Sequence, residues 1–196
     1  CMDERAVTCC FTGHRPEKLP FAPGRNETTY RFFMSMEEAV QRAILRGYTH
    51  FITGMAEGFD LWAADMVVRF RRAYPELTLE AAIPYPGQAR SWTYDSRDYY
   101  GEILKVCDKT TYVSSSYTKD CMYKRNRYMV DHASLVITAF TGGAGGTAYT
   151  LDYAQKNGVE VINIFEFFEK YTPQGLVKQE NEAYDKEDNL YGGEPQ

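Results

Sequence analysis

SLVITAFTGGAGGTAYTLDYAQKNG, residues 134–158, reads as strand, glycine loop and helix in that order. Leu135, Val136, Ile137, Ala139 and Phe140 form a short, near-continuous apolar run, as in a parallel strand covered on both faces. Gly142, Gly143, Gly145 and Gly146 remove side chains from the turn that follows, and glycine permits positive φ and close backbone approach to a ligand. Thr147 is the expected N-cap of the next helix, with Ala148, Leu151 and Ala154 at helical spacing and Asn157-Gly158 as the stop. A glycine loop feeding a helix N-terminus offers free amides and the positive end of the helix dipole, which suits phosphate or another anion. The plainer reading is a flexible connection between two core elements.

Outward from this unit the same alternation recurs. Ala6–Phe11 predicts a first strand that runs into the turn Thr12-Gly13-His14-Arg15-Pro16. The segment from Leu19 to Thr29 is a loop rich in Pro, Gly and Asn. A helix over Arg31–Arg46 has Phe32, Phe33, Met36, Ala39, Val40, Ala43 and Ile44 on one face. Tyr48–Thr53 predicts a second strand, and Gly54-Met55-Ala56-Glu57-Gly58 a second glycine loop. Asp60 is the expected cap of the following helix, which Pro75 closes. Leu77–Tyr85 is a third strand, Trp92–Val106 a helix, Thr110–Ser114 a strand and Cys121–Ala133 a helix. Val159–Phe165 completes the strands. Residues 166–196 are polar and read as a peripheral or partly disordered tail, leaving residues 1–165 as one domain.

Strands alternating with helices predict an α/β fold, a Rossmann-like three-layer sandwich with a mostly parallel sheet and helices on both faces. Ligands in such sheets sit beyond the carboxyl ends of the strands, where the strand order reverses. Three of these ends carry Gly-containing loops, and their convergence on one edge is expected.

The whole chain narrows the function classes. With 44% hydrophobic and 25% charged residues in 196, it has an ordinary globular composition. A net charge of −5 gives no general attraction to nucleic acid or anionic membranes, so a nucleic-acid partner is not expected. No apolar run has the length of a membrane span and no signal peptide is visible. Cys1, Cys9, Cys10, Cys107 and Cys121 form no C-x-x-C pair and read as reduced thiols of a cytoplasmic protein. Cys1 before Met2 reads as a residue outside the natural start.

The predicted helix from Cys121 places Met122, Met129, Val130 and Ala133 on one arc, with Asn126 inside it and Arg125 at its border. Arg125 contacts a ligand or forms an ion pair with Glu57 or Asp60. Asn126 needs partners for its amide and is expected to fix a neighbouring loop. His14, Arg15 and Gly13 sit together on the turn after the first strand, where Arg15 offers donors for a phosphate or carboxylate. His14, His50 and His132 have no metal-ligand spacing, so no metal is expected. Tyr85-Pro86-Gly87-Gln88 and Trp92 can flank a base or ribose, or serve as core and rim. No P-loop lysine, G-x-S-x-G elbow or H-E-x-x-H helix occurs.

Together, Thr12-Gly13-His14-Arg15-Pro16, Thr53-Gly54-Met55-Ala56 to Asp60, Ile83-Pro84 with Gln88 and Trp92, Arg125 to Asp131, and Gly145-Gly146-Thr147-Ala148-Tyr149-Thr150 resemble the YpsA-like bacterial proteins of the SLOG superfamily. The resemblance runs to about Phe165. It implies a Rossmann-like fold that binds a nucleotide or nucleotide-derived ligand at the carboxyl edge, with no settled activity. LOG-type phosphoribohydrolases have a similar Arg-Lys-x-x-Met stretch, matched here by Arg125 and Met129. Their later Gly-Gly-x-Gly-Thr-x-x-Glu stretch supplies a catalytic Glu, and Thr150 stands in its place. The DNA-processing protein A family has a similar Arg-Asn-Arg and Thr-containing helix start.

The expected site is therefore Gly13, His14, Arg15, Gly54, Met55, Ala56, Gly58, Asp60, Arg125, Asn126, Gly142, Gly143, Gly145, Gly146, Thr147 and Thr150. The leading expectation is a regulatory or sensory protein, able to form a homo-oligomer, that binds a nucleotide-like small molecule. A nucleotide hydrolase comes second and a single-stranded DNA-binding protein third.

Overall fold

Each short apolar strand is followed by a helix too long to be a hairpin turn, so it can return to the sheet only by a crossover, parallel to its neighbour. The computed structural model describes residues 3–171 and shows this arrangement. The strands are β1 (Thr8–Gly13), β2 (His50–Thr53), β3 (Thr78–Ile83), β4 (Lys109–Tyr112), β5 (Leu135–Ala139) and β6 (Glu160–Asn163). The helices are α1 (Glu27–Leu45), α2 (Phe59–Phe70), α3 (Tyr94–Val106), α4 (Cys121–Asp131) and α5 (Gly146–Lys156). All pairings are parallel and the order is β4-β3-β2-β1-β5-β6. The chain builds outward from β1 to β4, then crosses to the other side of β1, so the order reverses between β1 and β5.

The pleat explains why the strands read as continuous apolar runs. Cys9, Phe11, Phe51, Leu79, Ala81, Ile83, Leu135 and Ile137 face one layer, packed by α1, α2 and part of α3. Cys10, Ile52, Ala82 and Val136 face the other, packed by Met129 and Val130 of α4, by Ala133 just after it and by Ala154 of α5. Aromatic rings dominate the first layer. Phe32 meets Phe59 and Trp62 edge-on, and Phe11 stacks on Phe51 with centroids 5.7 Å apart.

Several boundaries differ from the sequence reading. β1 extends to Gly13 because Gly13 pairs with Ala139 of β5. The last strand stops at Asn163 and not at Phe165. The Asn163 side chain accepts from Phe165 N at 3.3 Å and starts a 3₁₀ helix over Ile164–Lys170. Residues 166–171 are thus not loose tail. Phe165 and Phe168 pack on α1, and Glu38 of α1 accepts from Lys170 Nζ at 2.7 Å and from the Tyr171 hydroxyl. The Glu and Lys residues around these rings disguise an amphipathic segment. Residues 172–196, where the remainder of the expected tail falls, lie outside the described residues, as do Cys1 and Met2. No helix among the described residues is long and apolar enough to cross a membrane. Cys9, Cys10, Cys107 and Cys121 are all unpaired.

Candidate functional site

The three glycine-containing loops leave the carboxyl ends of β2, β1 and β5, which are adjacent strands, and they touch one another. His14 N donates to Ala139 O at 3.2 Å, and Phe59 N donates to His14 O at 3.4 Å. The glycines divide by purpose. A Cβ on Gly13 would lie 2.5 Å from the Phe59 ring, and one on Gly58 would lie 2.8 Å from Pro16 Cδ. These two residues let loops and core pack closely. At Gly142 and Gly143, by contrast, nothing lies within 4 Å, and both adopt positive φ (107° and 93°). The segment from Thr141 to Gly146 is exposed throughout. This loop alone of the three leaves its backbone open to a ligand.

Helix α5 begins earlier than expected. Gly145, with φ 138°, is the N-cap in place of Thr147, and no side chain caps the first turn. Asn26 and Thr93, by contrast, cap α1 and α3 through their side chains. The leading amides of α5 and its positive dipole end therefore face outward uncapped. Lys18 leans over this point, its Nζ 2.9 Å from where a Gly145 Cβ would stand. It lies on a 3₁₀ turn over Pro16–Lys18 that directly follows the exposed Arg15.

His14 ties the first loop to the last. Its Nε2 accepts from Thr141 N at 3.1 Å, which places the ring proton on Nδ1. The ring leans on Phe140, centroids 5.3 Å apart. Burial, then the nearby Lys18 charge, lowers its pKa and so favours the neutral ring. Asn163 holds the other side of the loop's origin, donating from Nδ2 to Phe140 O at 2.8 Å.

A second polar group surrounds Gly54. Arg125 and Asp60 are both buried, 5% exposed each. A Gly54 Cβ would stand 2.8 Å from Asp60 Oδ2 and 2.9 Å from the Arg125 guanidinium carbon, so the two charges face each other across it. Arg125 donates through Nη1 to Gly54 O and, at 3.4 Å, to Ala82 O, and through Nε to Asn126 Oδ1 at 2.8 Å. It closes the carboxyl ends of β2 and β3 and is neither the border residue nor the surface ion pair the helical wheel allows. Asp60 lies inside α2 and is not its cap, because Gly58 at φ 85° takes that role. Instead, Asp60 Oδ2 accepts from Ala56 N at 3.4 Å. Burial pushes the Asp60 carboxyl up to about 6, against the opposing pull of Arg125, the Ala56 amide and Arg15.

The remaining expected residues separate. Asn126 points toward the glycine loop, with Nδ2 3.8 Å from the Cβ position of Gly146. Met55 is fully buried, with a positive φ of 58°, and its side chain belongs to the core. Thr147 is half-buried in the first turn of α5. Thr150 is fully buried and donates to Gly146 O at 2.7 Å, so its hydroxyl proton is committed within the helix. Among the described residues no group of three or more His, Cys, Asp or Glu could hold a metal ion. Sequence reading passed over Lys18, whose place depends on a short 3₁₀ turn with no periodic signal. It also left Gln88 outside the site, although Gln88 Nε2 donates to Gly54 O at 3.2 Å.

Among solved structures, DNA processing protein A from Streptococcus pneumoniae superposes with a TM-score of 0.54 at 16% identity, covering 81% of this chain. This chain spans 50% of that protein. The Helicobacter pylori protein, from a structure of its single-stranded DNA binding mode, gives 0.51 at 14% identity, covering 92% of this chain and 82% of its own. These likenesses establish the Rossmann-like α/β fold. The prophage-derived protein YoqJ of Bacillus subtilis is 30% identical over 54% of this chain and 69% of its own length. A UPF0398 protein of Bacillus thuringiensis is 25% identical over 73% of this chain and 84% of its own. Neither description carries an activity. The family profile matches residues 9–165, which span β1 to the 3₁₀ turn after β6, and by that match the chain belongs to the YpsA (YspA SLOG) family.

Proposed function

We propose that this protein binds a nucleotide or nucleotide-derived ligand at the carboxyl edge of the sheet, its phosphate held by the amides of the Gly142–Gly146 loop and the first turn of α5. The observation that carries this reading is the exposed loop in which a Cβ on Gly142 or Gly143, both at positive φ, would enter open space, set before an uncapped helix with Lys18 above it. Arg15 extends the positive charge toward Arg125. Binding, in a regulatory or sensory role, is favoured over LOG-type hydrolysis. That chemistry needs a carboxylate where Thr150 stands, and the Thr150 hydroxyl is already spent on Gly146 O.

The test is thermal shift of the full chain against mono- and dinucleotides, since a ligand that binds only the folded state raises its melting temperature. A nucleotide is expected to stabilise the protein, and Lys18→Glu is expected to weaken it by about tenfold or more. A panel that leaves the melting temperature unchanged contradicts the proposal. Release of free base from AMP would move the reading to the hydrolase.

Single-stranded DNA is a second reading with one observation of its own. Exposed Tyr123 on α4 meets Tyr149 on α5 edge-on at 4.5 Å, and Arg127 Nη1 donates to the Tyr149 hydroxyl at 3.3 Å, beside exposed Lys124. Aromatics beside cations suit stacked bases, and the Helicobacter pylori relative in fold binds single-stranded DNA. The net charge of −5 weighs against it. Weak oligonucleotide binding at physiological salt is expected, and sub-micromolar binding that falls steeply with added salt would establish the second reading instead.

A further inference from the structure

Strand β4 ends the sheet, and among the described residues no strand pairs with its outer edge. The two margins of the sheet are not alike. In β4 only Thr111 is sheltered, whereas in β6 only Glu160 is exposed. Val113 N donates to Ile83 O at 2.9 Å, so the alternation of the strand turns the backbones of Thr111 and Lys109 toward β3 as well. The N–H and C=O groups of Thr110 and Tyr112 therefore face outward. Asp108 N is spent on Leu79 O at 2.8 Å and ends this open set. Edge strands commonly carry a proline, a bulge or an outward charge that deters pairing. The sequence of β4, Lys-Thr-Thr-Tyr, has no proline. Its one charge, Lys109, turns back over β3, with Nζ 3.7 Å from Oε1 of the buried Glu80. Tyr112 is half-exposed, and Val106 and Tyr117, on either side of β4 along the chain, are exposed too.

We infer that a second copy of this chain pairs with β4, antiparallel about a two-fold axis at Thr111, so that two sheets join edge to edge. The register identifies the occupant. An axis at Thr111 sets Thr110 opposite the second copy's Tyr112, and Tyr112 opposite its Thr110. Each of these pairs exchanges two backbone hydrogen bonds, which uses every open donor and acceptor of both edges. An axis at Thr110 would instead pair Tyr112 with Asp108, whose amide is taken. The side chains agree with the first register. Thr110 and Tyr112 share a face of the sheet, in register with Ala81 and Ile83, and a β-branched residue opposite an aromatic is a favourable cross-strand pair. Lys109 falls opposite Val113, so like charges do not meet. An antiparallel strand at the margin of a parallel sheet is a common arrangement, and a two-fold contact requires this kind of self-complementary surface. Strands β3 and β2 separate this edge from β1, so the inference stands apart from what binds at the glycine loops.

The experiment measures the mass of the full chain by sedimentation from about 1 to about 200 µM. Wild type is expected to pass from one chain to two across that range. Thr110→Pro removes an N–H that faces away from β3, at an edge position where proline is tolerated. Its melting curve is expected to match wild type while its dimer affinity falls about tenfold or more. Thr111→Cys sets two thiols across the axis. Residues of such a non-hydrogen-bonded pair have Cα atoms about 4.5 Å apart, within reach of a disulfide. Mild oxidation is expected to link Thr111→Cys into a covalent dimer, and to link neither wild type nor Lys109→Cys, which lies off the axis. A wild type that stays a single chain throughout overturns the inference without recourse to a variant. A dimer that Thr111→Cys does not trap, or that folded Thr110→Pro does not weaken, overturns it too and moves the contact to another face.

Discussion

Asp60 carries the most consequential single-residue chemistry. Its folded-state pKa of about 6 lies above the ordinary carboxylate value of 3.8, chiefly through burial. Between those values the folded protein holds a proton that the unfolded chain has released. Stability therefore falls as pH rises from about 4 through 6, and ionised Asp60 is a net cost at neutral pH. Asp60→Asn is expected to be more stable than wild type at pH 7, on the order of 1–3 kcal/mol, with the gap closing as pH falls toward 4. Urea midpoints at pH 7 and pH 4.5 check this, and a gap that widens on acidification would refute it. Arg125 behaves oppositely. Removing it takes one donor from Gly54 O, which keeps Gln88, and one from Ala82 O, and leaves Arg15 as the positive charge acting on Asp60. Arg125→Met is expected to cost about 2–4 kcal/mol, and less in the Asp60→Asn background, because the uncompensated carboxylate is then gone. Additive losses in that double-mutant cycle would show that the two residues do not interact.

At the scale of elements, two glycines of similar appearance in the sequence should respond differently to the same substitution. Gly54→Ala puts a Cβ 2.8 Å from Asp60 Oδ2 and 2.9 Å from Arg125, both buried and neither free to retreat. Gly143→Ala meets nothing within 4 Å and pays only for φ 93°. The expected losses are about 3 kcal/mol or more for the first and about 1–2 kcal/mol for the second, read from denaturant midpoints. On the proposed reading the order is expected to reverse in nucleotide binding for equally folded protein, because the Gly143 loop alone of the three leaves its backbone exposed. This difference also marks how far the sequence was legible. Strand–loop–helix order, both helix layers and the meeting of three loops followed from apolar periodicity and glycine placement, which are local. Which glycine stands open and which packs against Phe59, Pro16 or Arg125 depends on tertiary neighbours that no local pattern encodes. Asp60 looked like a cap because Asp before an apolar run usually is one, but Gly58 could take the left-handed turn and let Asp60 move inside. Arg125 looked like a border residue because the helical wheel does not show that the carboxyl ends of β2 and β3 close over it.

For the molecule as a whole, the strand order does the positioning. Reversal between β1 and β5 sets the first and last glycine loops side by side, and β2 brings the second against them. In the first layer, Glu38 of α1 anchors the 3₁₀ helix that follows β6. Its carboxyl, raised by burial, is brought down to about 2 by hydrogen bonds from Lys170, Tyr171 and Arg42. The net charge is negative, yet Arg15, Lys18 and Arg125 gather at the sheet edge; with Asp60 set against Arg125, the exposed Arg15 and Lys18 are the positive charges an anion would meet there. The most direct test of the central claim is an amide chemical-shift map of the full chain titrated with AMP. The account predicts saturable shifts concentrated at Gly142 to Ala148, Gly13 to Arg15 and Lys18, with residues of the α1 and 3₁₀ helix margin unmoved. Shifts centred on Tyr123, Lys124 and Arg127 with the glycine loop unchanged, or no shifts at all, would contradict it.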